Sequence, residues 1–330
     1  FEPILERQIH HLINYAQGAM HIGQRDIAWV RIAKAAVEKG FSLKDIGRIL
    51  HAKYHGDFGN ILDKVQVKIY TEEKDVEKIL AQARASYKAR DERVEGMKDE
   101  DTEIFYSCTL CQSFAPNHVC VVTPERTGLC GAYSWLDCKA SYEINPTGPN
   151  QPIEKGKTLD EKLGKWQGVD EFVSKASRGA VETYNAYSIM VDPMTSCGCF
   201  ECIAAVLPMC NGIMTVDRDY AGMTPSGMKF TTLAGSVGGG LVVPGFVGHS
   251  KHYISSQKFI SADGGLLRLA WMPKRLKDEI RERFEKTAAK LGVPDLLDRI
   301  ADETVGTTEE EILPFLEEKQ HPALSMDPMM

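Results

Sequence analysis

Nine cysteines crowd into the stretch from Cys108 to Cys210 of a 330-residue chain, and this crowding restricts the possible folds more than any periodicity does. Disulfide scaffolds are usually small and secreted, with cysteines spread along their length. An odd number bunched within a large chain favours metal ligation. The sharpest element is Cys197-Gly198-Cys199. Its two sulfurs and the amide nitrogens of Gly198 and Cys199 can lie in one plane around a metal. Such an N2S2 square suits Ni(II) or Cu(II), whereas zinc takes a tetrahedron and iron–sulfur clusters take thiolates alone. Gly198 has no Cβ, so the backbone can flatten against a metal without steric cost. Pro193-Met194-Thr195-Ser196 ahead of it reads as a turn that displays both thiols on a loop.

Cys108, Cys111, Cys120 and Cys130 form a separate C-x2-C-x8-C-x9-C run. Four thiolates from one region hold either a structural zinc or a [4Fe–4S] cubane. Zinc ribbons normally use two C-x2-C knuckles, and only Cys108 and Cys111 make one here. Ferredoxin-like runs follow their C-x2-C with closer cysteines. The spacing leans towards iron–sulfur and leaves a zinc-stapled loop open. The chain thus reads as a metalloprotein with two different sulfur sites. Cys202 and Cys210 sit among Ile203, Ala204, Val206 and Leu207, and Cys138 has no partner at ligand spacing, so these three read as packing residues.

The remaining composition is that of a soluble globular protein, with 43% hydrophobic and 26% charged residues. A net charge of −7 argues against nucleic acid as the main partner. No apolar run reaches the length of a membrane span, and no charged-then-apolar leader is present. The chain opens Phe1-Glu2-Pro3 without a Met, and the expectation is a fragment of a cytoplasmic protein.

Helical spacing of Ile4, Leu5, Ile9, Leu12, Ile13 and Ala16 predicts a first helix. A second runs from about Asp26 to Glu38 and stops at Gly40. Ser42 with Asp45 three residues on opens a third. Val65, Val67 and Ile69 alternate with polar residues as a half-buried strand does. The charge-rich stretch from Glu72 to Lys98 reads as a long exposed helix joining two domains, a mainly helical one over 1–85 and one bearing the metal-ligand loops over 86–330. Residues 144–168, rich in Pro and Gly, predict an irregular excursion. Residues 230–265 mix glycine-rich turns with β-type runs at 241–243 and 258–260. Lys274 to Lys290 reads as a helix closed by Gly292 and Pro294, and Glu309 to Glu317 as an amphipathic piece before a mobile tail. Helices and strands alternate without a βαβ rhythm, which predicts an α+β fold.

With the motifs placed, the chain resembles the catalytic subunit of CO-dependent acetyl-CoA synthase, the partner of carbon monoxide dehydrogenase. The likeness rests on Cys108-Thr109-Leu110-Cys111-Gln112-Ser113-Phe114-Ala115-Pro116, on Cys120 and Cys130, and on Ser196-Cys197-Gly198-Cys199-Phe200. It covers all 330 residues and corresponds to the C-terminal part of the bacterial protein, with 1–85 falling in its middle domain and 86–330 in its cluster-bearing domain. The resemblance implies that Cys108, Cys111, Cys120 and Cys130 hold a [4Fe–4S] cluster. It further implies that Cys111 bridges to a proximal nickel, and that Cys197 and Cys199 bridge this to a distal nickel completed by the amides of Gly198 and Cys199. The proximal position could equally accept copper or zinc. Phe114 resembles the aromatic residue that crowds the open face of the proximal metal.

The implied reaction is acyl transfer: a methyl group from a corrinoid iron–sulfur protein, CO and coenzyme A become acetyl-CoA. No general base is nominated. Coenzyme A needs basic or glycine-rich surface. Lys251, His249 and His252 follow Gly238-Gly239-Gly240, Gly245 and Gly248, a pattern that is not a P-loop. Arg25, Arg31 and Lys34 are equal candidates. Two other readings remain at this point: a non-catalytic zinc- or iron–sulfur-stabilised interaction module, and a nickel or copper chaperone that would not need the cubane cysteines.

Overall fold

The computed structural model describes residues 34–58, 70, 72–113 and 115–329. The expected first helix, the strand at Val65–Ile69, and Arg25, Arg31 and Phe114 lie outside the described residues. At the start of the described chain the local signals behave as expected. A helix ends at Glu38, and Gly40 adopts φ +87°. The Phe41 N–H then donates to the Ala36 carbonyl at 2.9 Å and the Gly40 N–H to Val37 at 2.9 Å, the paired bonds of a glycine-terminated helix. Ser42 opens the next helix, Leu43–Phe58, its N–H and Oγ both donating to Asp45 Oδ2 at 2.9 and 2.8 Å.

The charge-rich stretch forms the helix Glu73–Glu92, which stops well short of the expected end at Lys98. Val94 is buried and Gly96 takes φ +86°, which turns the chain out of the helical path. Its last turns lie beside the helix Lys274–Lys290. Lys88 Nζ is 3.4 Å from Glu282, and Asp91 Oδ2 is 3.5 Å from His252 and 3.7 Å from Arg283.

A first sheet is antiparallel, in the order β2-β1-β3, from β1 (Ile104–Cys108), β2 (Cys120–Val122) and β3 (Pro152–Glu154). A hairpin follows, β4 (Thr158–Asp160) with β5 (Lys165–Trp166). The expected irregular excursion over 144–168 therefore carries three short strands. Gly164, at φ +68° against the Tyr187 ring, serves the turn between β4 and β5, and Gly168, at φ +89°, leads from β5 into the helix Val169–Ala176.

The second sheet organises the rest. It contains β6 (Cys202–Leu207), β7 (Gly212–Asp217), β8 (Phe246–His249) and β9 (Leu269–Trp271), in the order β8-β6-β7-β9. The β6 strand is antiparallel to β7 and β8, and β7 is parallel to β9. Period-2 alternation divides β6 between two cores. Ile203, Ala205 and Leu207 join a core with Phe230, Leu233 and Ile312. Cys202 and Ala204 join another with Leu276, Ile280 and Phe284 of the Lys274–Lys290 helix. Both faces are covered, so these strands read as continuous apolar runs.

The Lys274–Lys290 helix has the bounds that its periodicity predicts, with Leu276, Ile280, Phe284 and Ala288 buried at four-residue spacing. Thr308 and Glu311 form a reciprocal cap on the helix Glu309–Glu318. The β-type runs at 241–243 and 258–260 are not strands. Leu241 makes a single bridge to Ser196, and residues 258–260 form turns in which Ile260 takes φ +48°. The expected mobile tail is instead bonded back to the sheet. Asn211 Nδ2 donates to the Ala323 and Met326 carbonyls at 2.9 Å each, and buried His321 meets the Leu269 carbonyl at 2.9 Å. The α+β class stands.

Asp99 and Glu125 clip two loops together: the Asp99 N–H donates to Glu125 Oε2 at 3.1 Å and the Glu125 N–H to Asp99 Oδ1 at 3.0 Å. Burial raises both carboxyls, Glu125 to about 7 from an ordinary 4.5, with the Asp99 charge adding to the rise. The folded state holds this proton more tightly than the unfolded chain, so the associated stability is present below about pH 4.5 and is lost as pH rises through about 7. Glu125→Gln, which mimics the protonated form, is expected to raise the melting temperature relative to the parent at pH 8 and to leave it nearly unchanged at pH 4. Equal shifts in thermal scans at both pH values would contradict this account.

Candidate metal centre

The four-cysteine run is built on the first sheet. Cys108 ends β1 and Cys120 begins β2, and the register sets them directly opposite one another. The chain between them is braced at both ends. The Thr109 N–H and Oγ1 donate to the Pro149 carbonyl at 3.2 Å each, and Gln112 Nε2 donates to the His118 carbonyl at 3.1 Å and the Ala176 carbonyl at 2.7 Å. Between these braces a 3-10 turn, Leu110–Ser113, presents Cys111. Cys130 occupies a tight turn closed by the Gly131 N–H to Gly128 bond of 2.8 Å. Gly131 takes φ +70°, and a Cβ there would run into the Glu201 carboxylate.

The Cys197-Gly198-Cys199 loop comes in just ahead of β6. Ser196 is held three ways: its N–H donates to Leu241 at 3.2 Å, its carbonyl accepts from Gly240 at 2.8 Å, and its Oγ accepts from the Gly248 N–H at 2.9 Å. The Cys199 N–H then folds back onto Cys197 Sγ at 3.3 Å. Gly198 adopts φ +95°, a conformation that L side chains rarely take, while a Cβ there would meet only Gly238 Cα at 4.0 Å. What requires glycine is therefore the backbone conformation rather than space. The crowding is on the other side: a Cβ on Gly238 would lie 2.5 Å from the Ala234 carbonyl oxygen and 3.2 Å from Gly198 Cα.

These two loops meet through their sulfurs. The Cys111 thiol lies within interaction range of those of Cys197 and Cys199. These two neighbours, and then burial, push the Cys111 thiol well up. At Cys197 the Cys111 thiol pulls downward and is outweighed by the Cys199 thiol and burial. Burial alone raises Cys108 to about 11 and dominates the rise of Cys130 to about 12. All nine cysteines are free thiols. Among the described residues no group of three or more His, Cys, Asp or Glu side chains is arranged to hold a metal ion.

Two polar residues that the sequence reading did not single out adjoin the sulfurs. His118, fully buried, places Nδ1 2.9 Å from Thr195 Oγ1 and Nε2 3.0 Å from Cys120 Sγ, tying the four-cysteine loop to the segment ahead of Cys197. Burial lowers its pKa to about 4, so the ring is neutral at pH 7. Arg218 donates from Nη2 to the Phe200 carbonyl at 2.8 Å and lies close enough to Cys199, Cys197 and Cys130 to feel their charge. A cation beside these sulfurs favours their thiolate forms. The position of His118 within the C-x8-C interval was the available signal. Arg218 had none, since it lies far along the chain, past the end of β7.

The cysteines expected to pack do so: Cys138, Cys202 and Cys210 are buried, and Cys138 Sγ also accepts from Asn150 at 3.3 Å. The basic residues nominated for coenzyme A are redistributed. His249 is a satisfied core residue, 2.8 Å from Thr215 Oγ1 and lowered to about 3 by burial. Lys251 lies among carboxylates, 3.0 Å from Glu279 and 3.5 Å from both Asp217 and Asp219. His252 lines a cavity, and Lys34 is exposed on the first described helix. The Gly238-Gly239-Gly240 turn supports the cysteine loop, with the Gly239 N–H directed at the Cys197 carbonyl at 3.4 Å.

Residues 87–330 match the family described as the C-terminal part of the ACS/CODH beta subunit, and residues 1–76 match the beta subunit of the CO dehydrogenase/acetyl-CoA synthase complex. The chain is 57% identical to the carbon monoxide dehydrogenase/acetyl-CoA synthase subunit alpha of Moorella thermoacetica, over 100% of its own length and 45% of that protein. It is 47% identical to the acetyl-CoA decarbonylase/synthase complex subunit beta of Methanopyrus kandleri, over 98% of its length and 68% of that protein. A solved structure of the C-terminal domain of the acetyl-coenzyme A synthase alpha subunit aligns with 60% identity and a TM-score of 0.39, over 41% of this chain and 100% of that one. The chain belongs to the family of acetyl-CoA synthase subunits of the CO dehydrogenase/acetyl-CoA synthase complex. It spans under half the length of the Moorella protein and about two thirds of the Methanopyrus one. Among the described residues no helix is long and apolar enough to cross a membrane.

The contact between Gly238 and Gly198 yields a test. Gly238→Ala puts a methyl against backbone on both sides and is expected to cost about 1–3 kcal/mol, displacing the Cys197–Cys199 loop. Thermal unfolding and the thiol reactivity of Cys199 report it: a lower midpoint with faster modification is expected, and parental values for both would rule the contact out as a support.

Proposed function

We propose that this chain is the cluster-bearing part of an acetyl-CoA synthase. In this reading it is an acyltransferase that joins a methyl group from a corrinoid iron–sulfur protein, CO and coenzyme A into acetyl-CoA, in the cytoplasm and in complex with carbon monoxide dehydrogenase. The observation that carries the reading is the meeting of the Cys111 thiol with those of Cys197 and Cys199 around a glycine at φ +95°. The donor set fits a nickel–nickel–[4Fe–4S] centre. Cys108, Cys111, Cys120 and Cys130 would hold the cubane with four thiolates. Cys111, Cys197 and Cys199 would hold a proximal metal, and Cys197, Cys199 and the Gly198 and Cys199 amides would hold a distal nickel. When bound, the centre supplies thiolate-stabilised nickel that can accept both the methyl group and CO.

The chain's own residues do the rest. The two-loop arrangement keeps Cys108, Cys120 and Cys197 away from water while Cys111, Cys130 and Cys199 stay partly open, so the open side of the site is the Cys111–Cys199 side. His118, neutral, orients Cys120, and Arg218 offsets negative charge that accumulates near Cys199. Phe114, three residues past Cys111 in sequence, is the aromatic residue that the family resemblance assigns to this site. A zinc- or iron–sulfur-stabilised interaction module has no use for two thiols flanking a positive-φ glycine beside a four-thiolate site.

Gly198→Ala separates these readings. The added methyl has room, but the conformation costs an alanine about 1–3 kcal/mol. Elemental analysis of the anaerobically reconstituted parent is expected to give about four irons and one to two nickels per chain. The variant should keep its iron and circular dichroism but lose nickel and acetyl-CoA synthesis. Undiminished nickel in the variant would sink the planar-site assignment, and zinc alone in the parent would leave only the structural module.

A further inference from the structure

Away from the cysteines, residues 94–98, the turns over 252–257 and the end of the Lys274–Lys290 helix enclose a cavity of about 330 Å3. That volume lies at the lower end of small-molecule sites. Its lining is divided. Val94, Met97 and Pro124 form an apolar wall, while Lys98, Arg283, Lys286 and Lys290 bring four cations into a chain whose net charge is −7. Arg283 is anchored, with Nη1 3.7 Å from Asp91 Oδ2 and Nη2 2.6 Å from His252 Nδ1. Among the described residues the one ion pair of Lys286 is an exposed i,i+4 pair with Glu282 at 3.4 Å, the kind of contact worth about 0.3–0.5 kcal/mol and readily given up. Lys98 and Lys290 make no ion pair among the described residues.

Two carboxylates, Glu95 and Glu125, also reach the lining. Glu125 accepts from the Asp99 N–H, and burial raises it to about 7, which reduces its charge near neutrality. The balance is a positive row beside an apolar wall, the pairing that a nucleotide's phosphates and base require. The cavity also shares a segment with the metal loop. His252 follows Lys251, whose N–H donates at 2.8 Å to Glu201, two residues past Cys199.

We infer that this cavity binds the phosphates of a phosphorylated ligand, namely the adenosine 3′-phosphate 5′-diphosphate end of coenzyme A. The assignment to the coenzyme rests on the acetyl-CoA synthase reading above; the anion site rests on the cavity alone.

The test is calorimetric titration of the full chain, without added metal, using adenosine 3′,5′-bisphosphate and inorganic phosphate as separate titrants. The bisphosphate is expected to bind at least tenfold more tightly than phosphate. Lys98→Ala/Lys290→Ala, two exposed changes, is expected to weaken it at least tenfold with the melting temperature unchanged. Equal affinity for the two titrants would assign the site to free phosphate and overturn the coenzyme. Bisphosphate affinity unaltered in the double variant would overturn the site itself. Because the titration needs no metal, its failure is distinct from a failure of nickel to load at Cys197 and Cys199.

Discussion

One residue holds together two parts of the chain that the sequence keeps far apart. The Glu201 N–H donates to the Leu129 carbonyl at 3.0 Å, next to Cys130. Its carboxylate fits against Gly131 and accepts from the Lys251 N–H at 2.8 Å. Three segments thus converge on a single buried side chain two residues past Cys199. The arrangement of sulfurs depends on this junction, because Cys130 and the Cys197–Cys199 pair sit in turns and loops rather than in paired strands. Hydrogen bonds to backbone, at Glu201, Ser196, Gln112 and Thr109, add to the packing of the cysteines in and against the core.

The electrostatics follow from the same burial. In the metal-free chain thiols this enclosed stay protonated, and their pKa values rise accordingly. Metal ligation requires thiolates, so on the proposed function part of any binding free energy would go into removing protons. Arg218 acts against that cost from one side. His118, neutral and doubly hydrogen-bonded, adds no charge and fixes orientation. One neighbour tunes charge and the other tunes position.

What could be read from the sequence was local. The Cys197-Gly198-Cys199 pair and the Cys108–Cys130 run are short-range patterns, and so are the Ser42 cap and the helical stretch of Lys274–Lys290. What could not be read depended on partners distant in the chain. The β6 strand gives no alternation because both of its faces are buried. The β-type triplet at 258–260 looks like a strand and is a turn, closed by bonds from the Ser261 N–H to Lys258 and from the Gly265 N–H to Ile260. The glycine triplet at 238–240 looks like an anion-binding turn, and it is the backing of the Gly198 loop. The basic residues divide in the same way: His249 and Lys251 are absorbed by contacts made at long range, whereas His252 is left at a cavity.

The division of β6 between two cores has a further consequence. Cys199 stands three residues before the strand begins, so the pairing of β6 with β7 and β8 sets how far the cysteine loop reaches. A slip of one residue would move that loop by about 3.3 Å and exchange the two faces of the strand, sending Ile203 into the small-residue positions of Cys202 and Ala204. The hydrophobic cores therefore act as a gauge for the sulfur site. A misregistered chain is penalised by its own packing before it can bring the six cysteines together, so the packing itself proofreads the sulfur site.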